Sequence, residues 1–69
     1  MKTYVTFGAA HTHKINGVLL DKNCVAVVQG DRDRVFELFG TRFCFEYPEG
    51  FWDDSKLHYF PRGYVEVPQ

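Results

Sequence analysis

Cys24-Val25-Ala26-Val27-Val28-Gln29-Gly30-Asp31-Arg32-Asp33-Arg34-Val35-Phe36-Glu37-Leu38-Phe39-Gly40 reads as a strand, a turn and a helix in immediate succession. The run from Cys24 to Gln29 is nearly continuous in apolar character, which predicts a strand covered on both faces. Gly30 ends it. Asp31 then stands where a helix needs a cap, because its carboxylate accepts amide hydrogens that the first turn leaves unpaired. Val35, Leu38 and Phe39 recur at helical spacing, with Phe36 beside that stripe. Gly40 is placed to end the helix in a left-handed turn.

On the N-terminal side, Lys2 to Phe7 is β-branched and aromatic, with Val5 and Phe7 on one face and Tyr4 and Thr6 on the other. Gly8-Ala9-Ala10 interrupts it, and His11 to Ile15 is expected to be extended. Asn16-Gly17 signals a hairpin, since a type I′ turn needs φ > 0 at both central residues; Val18-Leu19-Leu20 is the returning arm. Asp21-Lys22-Asn23 is a polar break before Cys24.

On the C-terminal side, Arg42 to Tyr47 alternates, with Phe43, Phe45 and Tyr47 on one face and Cys44 and Glu46 on the other. Phe43 and Phe45 are expected in the core on the usual burial preference of Phe. Pro48-Glu49-Gly50 is a turn. Asp53 or Asp54 caps a short helical turn carrying Leu57, which Pro61 ends. Tyr64 to Val67 is the last strand. The chain is therefore expected to be one α+β domain over residues 1–69. Its architecture is a small antiparallel sheet of about four strands, with one main helix packed on one face and a short second helical turn. The opposite face is left partly open, the natural place for a binding surface.

Sixty-nine residues bury a limited core, and the 17% of residues that are aromatic offset this. Nine acids against eight bases give a net charge of −1, which supplies no basic surplus for nonspecific nucleic-acid or anionic-membrane binding. No apolar run is long enough for a membrane span, and the first residues lack the apolar centre of a secretory signal. Cys24 and Cys44 both fall in apolar strand-like runs, so reduced, buried thiols and a cytoplasmic location are expected.

Five constellations bear on function. His11-x-His13 would project two imidazoles from one strand face, as metal ligands can, but no further ligand spacing supports it. These two are weak metal candidates, and no cofactor is expected. A catalytic cysteine is disfavoured in apolar surroundings, and Asp53-Asp54 is explained by capping, so no enzyme is expected. Phe43, Phe45 and Tyr47 resemble the stacking strand of an RNA-binding sheet, yet the charge balance opposes direct nucleic-acid binding. Tyr59-Phe60-Pro61-Arg62-Gly63-Tyr64 reads as a structural turn, although Arg62 could stack on a ring or grip an anion. Finally, Glu46, Tyr47, Glu49, Phe51, Trp52, Asp53 and Asp54 set three rings among unpaired acids in a turn. Such residues are enriched at interface hot spots, and the acids would select a basic partner.

Tyr4-Val5-Thr6-Phe7-Gly8, His11-x-His13 with Asn16-Gly17, Asp21 to Val27, Phe36 to Gly40, Phe43 to Tyr47 and Tyr59 to Gly63 together resemble a small family of uncharacterised bacteriophage- and prophage-encoded accessory proteins. The resemblance spans nearly the whole chain and brings no catalytic residues with it. It implies a binding protein that disables a host factor, such as a CRISPR effector or other nucleic-acid-binding defence machinery. The expectation is a non-enzymatic anti-CRISPR or other anti-defence inhibitor in the host cytoplasm, a monomer or small homo-oligomer, acting through the acidic aromatic turn. The alternatives are a metal- or ligand-binding module built on His11 and His13, and a single-strand nucleic-acid binder.

Overall fold

The Cys24–Gln29 strand lies inside the sheet and is buried from Cys24 through Val28. Its neighbours explain why both faces need apolar residues. The structure, a computed structural model describing residues 1–68, has six strands and one α-helix. In chain order these are β1 (Lys2–Thr6), β2 (His13–Ile15), β3 (Val18–Leu20), β4 (Cys24–Gln29), α1 (Arg32–Phe39), β5 (Phe45–Pro48) and β6 (Gly63–Glu66). Two 3₁₀ turns, Glu49–Phe51 and Asp54–Tyr59, fill the stretch between β5 and β6. The main sheet has the order β5-β1-β4-β6, and β2 and β3 form a separate hairpin. The expected α+β architecture is present, with its one main helix and a four-stranded sheet.

One strand departs from expectation. β1 pairs antiparallel with β4 and β5, but β6 runs parallel to β4. Two antiparallel steps also make β5 run in the direction of β4. Consecutive strands β5 and β6 thus point the same way at opposite edges, and residues 49–62 must cross the sheet to join them. Local alternation predicts a strand; it carries no information on direction, which here follows from that crossing.

Register sorts the side chains. Val5 faces Ala26, and Tyr4 lies between Val27 and Tyr47. Val5, Cys24, Ala26 and Val28 therefore share the face that meets Val35 and Phe39 of α1, and with Phe7, Leu20 and Val67 they form the main core. Tyr4, Thr6, Val25, Val27, Phe45, Tyr47 and Tyr64 share the other face. Asp31 caps α1 by accepting from the amides of Asp33 (3.1 Å) and Arg34 (3.4 Å). The Gly40 amide closes the other end on the Phe36 carbonyl at 2.8 Å. In the hairpin, Asn16 (φ 49°) and Gly17 (φ 83°) both take the positive φ that a type I′ turn requires.

Two glycines differ in what surrounds them. Gly30 has φ 134°, and a Cβ there would sit 2.9 Å from the Cβ of Arg34, whereas Gly40 (φ 63°) has open space around it. Gly40→Ala is expected to cost about 1 kcal/mol from backbone strain alone. Gly30→Ala adds a clash with a helix side chain close to its backbone, and should cost about 2–3 kcal/mol. Urea unfolding of the two variants checks the order.

Candidate functional site

Trp52 is the residue on which the acidic aromatic turn is built. Pro48 and the Glu49–Phe51 turn carry the chain off β5, and Trp52 then adopts extended backbone (φ −84°, ψ 135°). Its indole stacks on Tyr4, with centroids 5.5 Å apart and planes 17° apart. Tyr47 meets it edge-on at 5.2 Å, and Tyr64 and Phe60 stand at 6.4 and 6.5 Å. Such offset and edge contacts are the favoured aromatic geometries. Tyr4 and Tyr47 project from neighbouring strands, so Trp52 lies over the sheet face turned away from α1. Val25 and Val27 on that face are 0% and 4% exposed. The face expected to be partly open is instead covered at its centre.

A polar chain locks the same segment. Trp52 Nε1 donates to the Tyr64 hydroxyl at 2.8 Å, and that hydroxyl donates to Asp54 Oδ1. Burial beside the rings pushes the Tyr64 hydroxyl above its ordinary pKa, and the hydrogen bond to Asp54 adds to this. Asp53 caps the second 3₁₀ turn by accepting from the Ser55 amide at 3.0 Å. Hydrogen bonds from Ser55 hold its carboxyl below the usual value. The Phe60 amide closes the turn on the Leu57 carbonyl at 2.9 Å, next to Pro61. Residues 49–62 thus form a strap with Trp52 as its pin.

The seven expected site residues divide. Tyr47 and Trp52 pack on the sheet, with the Lys56 ammonium 5.4 Å above the Tyr47 ring. Glu46 points to the opposite, helix-bearing face, where its Oε1 lies 3.7 Å from Arg32 Nε. Glu49 accepts from the Lys2 amide at 2.9 Å. Asp53 and Asp54 are exposed and hold the strap through the bonds above. Phe51 is 80% exposed. Tyr59, outside the expected set, is 71% exposed and lies against His58 at 4.0 Å. Its single position in a turn, with no periodic pattern around it, is why alternation does not single it out.

Other expectations need correction. Phe45 is 59% exposed on the strap side of the sheet, not in the core. Phe43 does pack against the core, but from the loop before β5, where its ring meets Phe36 at 5.6 Å. The three rings of the supposed nucleic-acid strand therefore do not share one platform. Cys44 is exposed, because it too precedes β5; Cys24 is buried, and burial raises its thiol pKa. His11 precedes β2, so it does not share a strand face with His13. The His13 ring lies 4.8 Å from Phe39 and 5.5 Å from Phe7, with Nε2 2.6 Å from the Arg42 carbonyl oxygen. Among the described residues, no group of three or more His, Cys, Asp or Glu is arranged to hold a metal ion. Arg62 bonds Asp21 Oδ1 at 3.2 Å, so the carboxylate it grips is one of the chain's own. No helix is long and apolar enough to cross a membrane among the described residues.

The Tyr64 hydroxyl gives the strap a pH dependence of defined sign. Its pKa is raised on folding, so its contribution to stability is complete below the ordinary value of 10.0 and is lost as pH rises through the folded value. Wild type should lose stability more steeply than Tyr64→Phe as pH rises above about 10, as read by urea unfolding at each pH.

Compared with family models, curated proteins and solved structures, the chain matches none.

Proposed function

We propose that the chain is a non-enzymatic binding protein that presents the 49–62 strap to a basic surface of a partner protein. In its fuller form the reading is a phage-encoded inhibitor of a host factor, an anti-CRISPR or other anti-defence protein acting in the host cytoplasm. The phage context is supported by the sequence resemblance alone. The binding mode is supported by one observation above the rest: Phe51 stands 80% exposed on a segment whose neighbouring residue, Trp52, is pinned by four rings.

A large ring held in water on a flexible tail carries little information, because its ordering entropy opposes binding. Here the backbone beside it is already held in place. Burying the Phe51 side chain in a partner is worth about 2 kcal/mol, and little backbone ordering is needed to collect it. Glu49, Asp53 and Asp54 flank it in sequence, and Lys56 is the one base in the same run of residues 49–56. Carboxylates at the rim speed encounter with a basic surface and reject acidic ones. A groove that normally receives nucleic-acid phosphates has that character. Tyr47 and Trp52 enter this reading as the scaffold of the surface and not as its contact residues.

Expression of the chain should restore plaquing of a phage on bacteria that carry the targeted defence system, and Phe51→Ala should abolish this. Against the purified partner, Phe51→Ala is expected to lose about 2 kcal/mol, roughly 30-fold in Kd. Asp53→Asn with Asp54→Asn keeps an acceptor oxygen at each position, and should slow association and flatten its salt dependence. Partner binding indifferent to all three substitutions would assign the contact surface elsewhere.

A further inference from the structure

β5 is an edge strand with three unusual features. It ends the strand order, so its outer backbone groups have no partner strand among the described residues. On the strap side, Phe45 is a large ring left 59% exposed. On the helix side, Glu46 Oε2 is buried and lacks a hydrogen-bond partner among the described residues, while Oε1 is only within loose reach of Arg32. A cleft of about 660 Å³ opens on that helix side, where Glu46, Pro48 and Glu49 face Thr3, Asp31 and Arg32.

Part of this pattern is protective. Short length, a terminal proline and an inward-facing charge are common means of blunting a sheet edge. Protection does not account for Phe45, since an exposed ring on an edge invites association. Nor does it account for the cleft. A selective edge explains all of them: it rejects most strands and accepts one pattern.

We propose that the outer edge of β5 docks an extended segment of the partner whose side chains alternate between apolar and basic. This inference rests on the protein-binding reading above and names the partner's local structure. Added as a further strand, such a segment places its apolar side chains on the strap side, beside Phe45. Its lysine or arginine side chains fall on the helix side, beside Glu46 and over the cleft. Cross-strand neighbours lie about 4.5–5.5 Å apart between Cβ atoms, within reach of a basic side chain. The guanidinium or ammonium group pairs with the Glu46 carboxylate, which Arg32 holds only loosely, and Glu49 adds to the field. Pro48 has no amide hydrogen, so the ladder ends there and the docked run is short. Main-chain pairing gives this mode its affinity, and the alternate pockets give it specificity.

A second copy of the chain is the wrong occupant. Pairing β5 with another β5 centred on the same residue sets Glu46 opposite Glu46, and like charges directly across a sheet are destabilising. The same charge that repels a copy selects a basic strand.

The test uses the isotope-labelled full chain and three synthetic peptides: acetyl-Lys-Val-Lys-Val-Lys-amide, its Glu-Val-Glu-Val-Glu counterpart, and the basic peptide with N-methylated valines. The basic peptide is expected to shift the backbone amides of Phe45, Glu46 and Tyr47 at millimolar concentration. The acidic peptide should bind about tenfold more weakly, and N-methylation should remove the shifts. Glu46→Lys should reverse the preference between the two charged peptides. Phe45→Ala, a substitution at an exposed site that leaves the fold intact, should weaken the basic peptide about fivefold. The proposal is overturned by shifts that map elsewhere, by shifts that survive N-methylation, by no shift at 5 mM peptide, or by indifference to Phe45→Ala. If β5 fails these tests while partner binding still depends on Phe51, only the edge site is lost. If Phe51 dependence also fails, the parent reading falls with it.

Discussion

The stack of Trp52 on Tyr4 is the contact on which the second half of the fold depends. β5 and β6 follow one another in sequence yet run in the same direction at opposite edges of the sheet. The chain between them must cross a sheet face, and α1 already occupies one of the two. Residues 49–62 cross the other. Neither 3₁₀ turn contains a fully buried residue, so the segment has little core of its own. Its attachment comes from one indole set among Tyr4, Tyr47, Phe60 and Tyr64, and from the hydrogen-bonded chain running from Trp52 through Tyr64 to Asp54. A large aromatic suits the task, because one side chain removes much area from water where few residues are available.

This arrangement separates the roles within a turn that looks uniform in sequence. Glu46 and Tyr47 are adjacent, but strand geometry sends one to the helix side and the other under the strap. Phe51 and Trp52 are also adjacent, and one faces water while the other is pinned to the sheet. The acids likewise act within the structure: Asp53 caps, Asp54 receives the Tyr64 hydroxyl, and Glu49 receives the Lys2 amide. Each uses one carboxylate oxygen in that role and still contributes its full charge to the surface. In these acids a structural bond and a surface charge coexist; in the aromatics packing and exposure are divided between neighbours.

Much of the architecture was legible from local chemistry. Asp31, Gly40 and the Asn16-Gly17 turn each carry a conformational requirement that only a few residue types meet, so their positions mark element boundaries directly. The continuous apolar run of β4 foretold two covered faces. What sequence could not supply was pairing. Alternation groups Phe45 with Tyr47, but it cannot say whether that face meets the helix or the strap, and average burial preference pointed Phe45 the wrong way. Starting β5 at Arg42 rather than at Phe45 likewise placed Cys44 inside. The direction of β6 and the packing of Trp52 belong to one non-local event, the crossing of the strap, which leaves no periodic mark in residues 49–62.

Trp52 is pinned to the sheet and Phe51, one position before it, stands in water. Urea unfolding of Trp52→Ala and Phe51→Ala tests this most directly. Trp52→Ala should lose about 3 kcal/mol, and Phe51→Ala should change stability by no more than about 0.5 kcal/mol. Equal stability of the two variants, or a larger loss for Phe51→Ala, would contradict it.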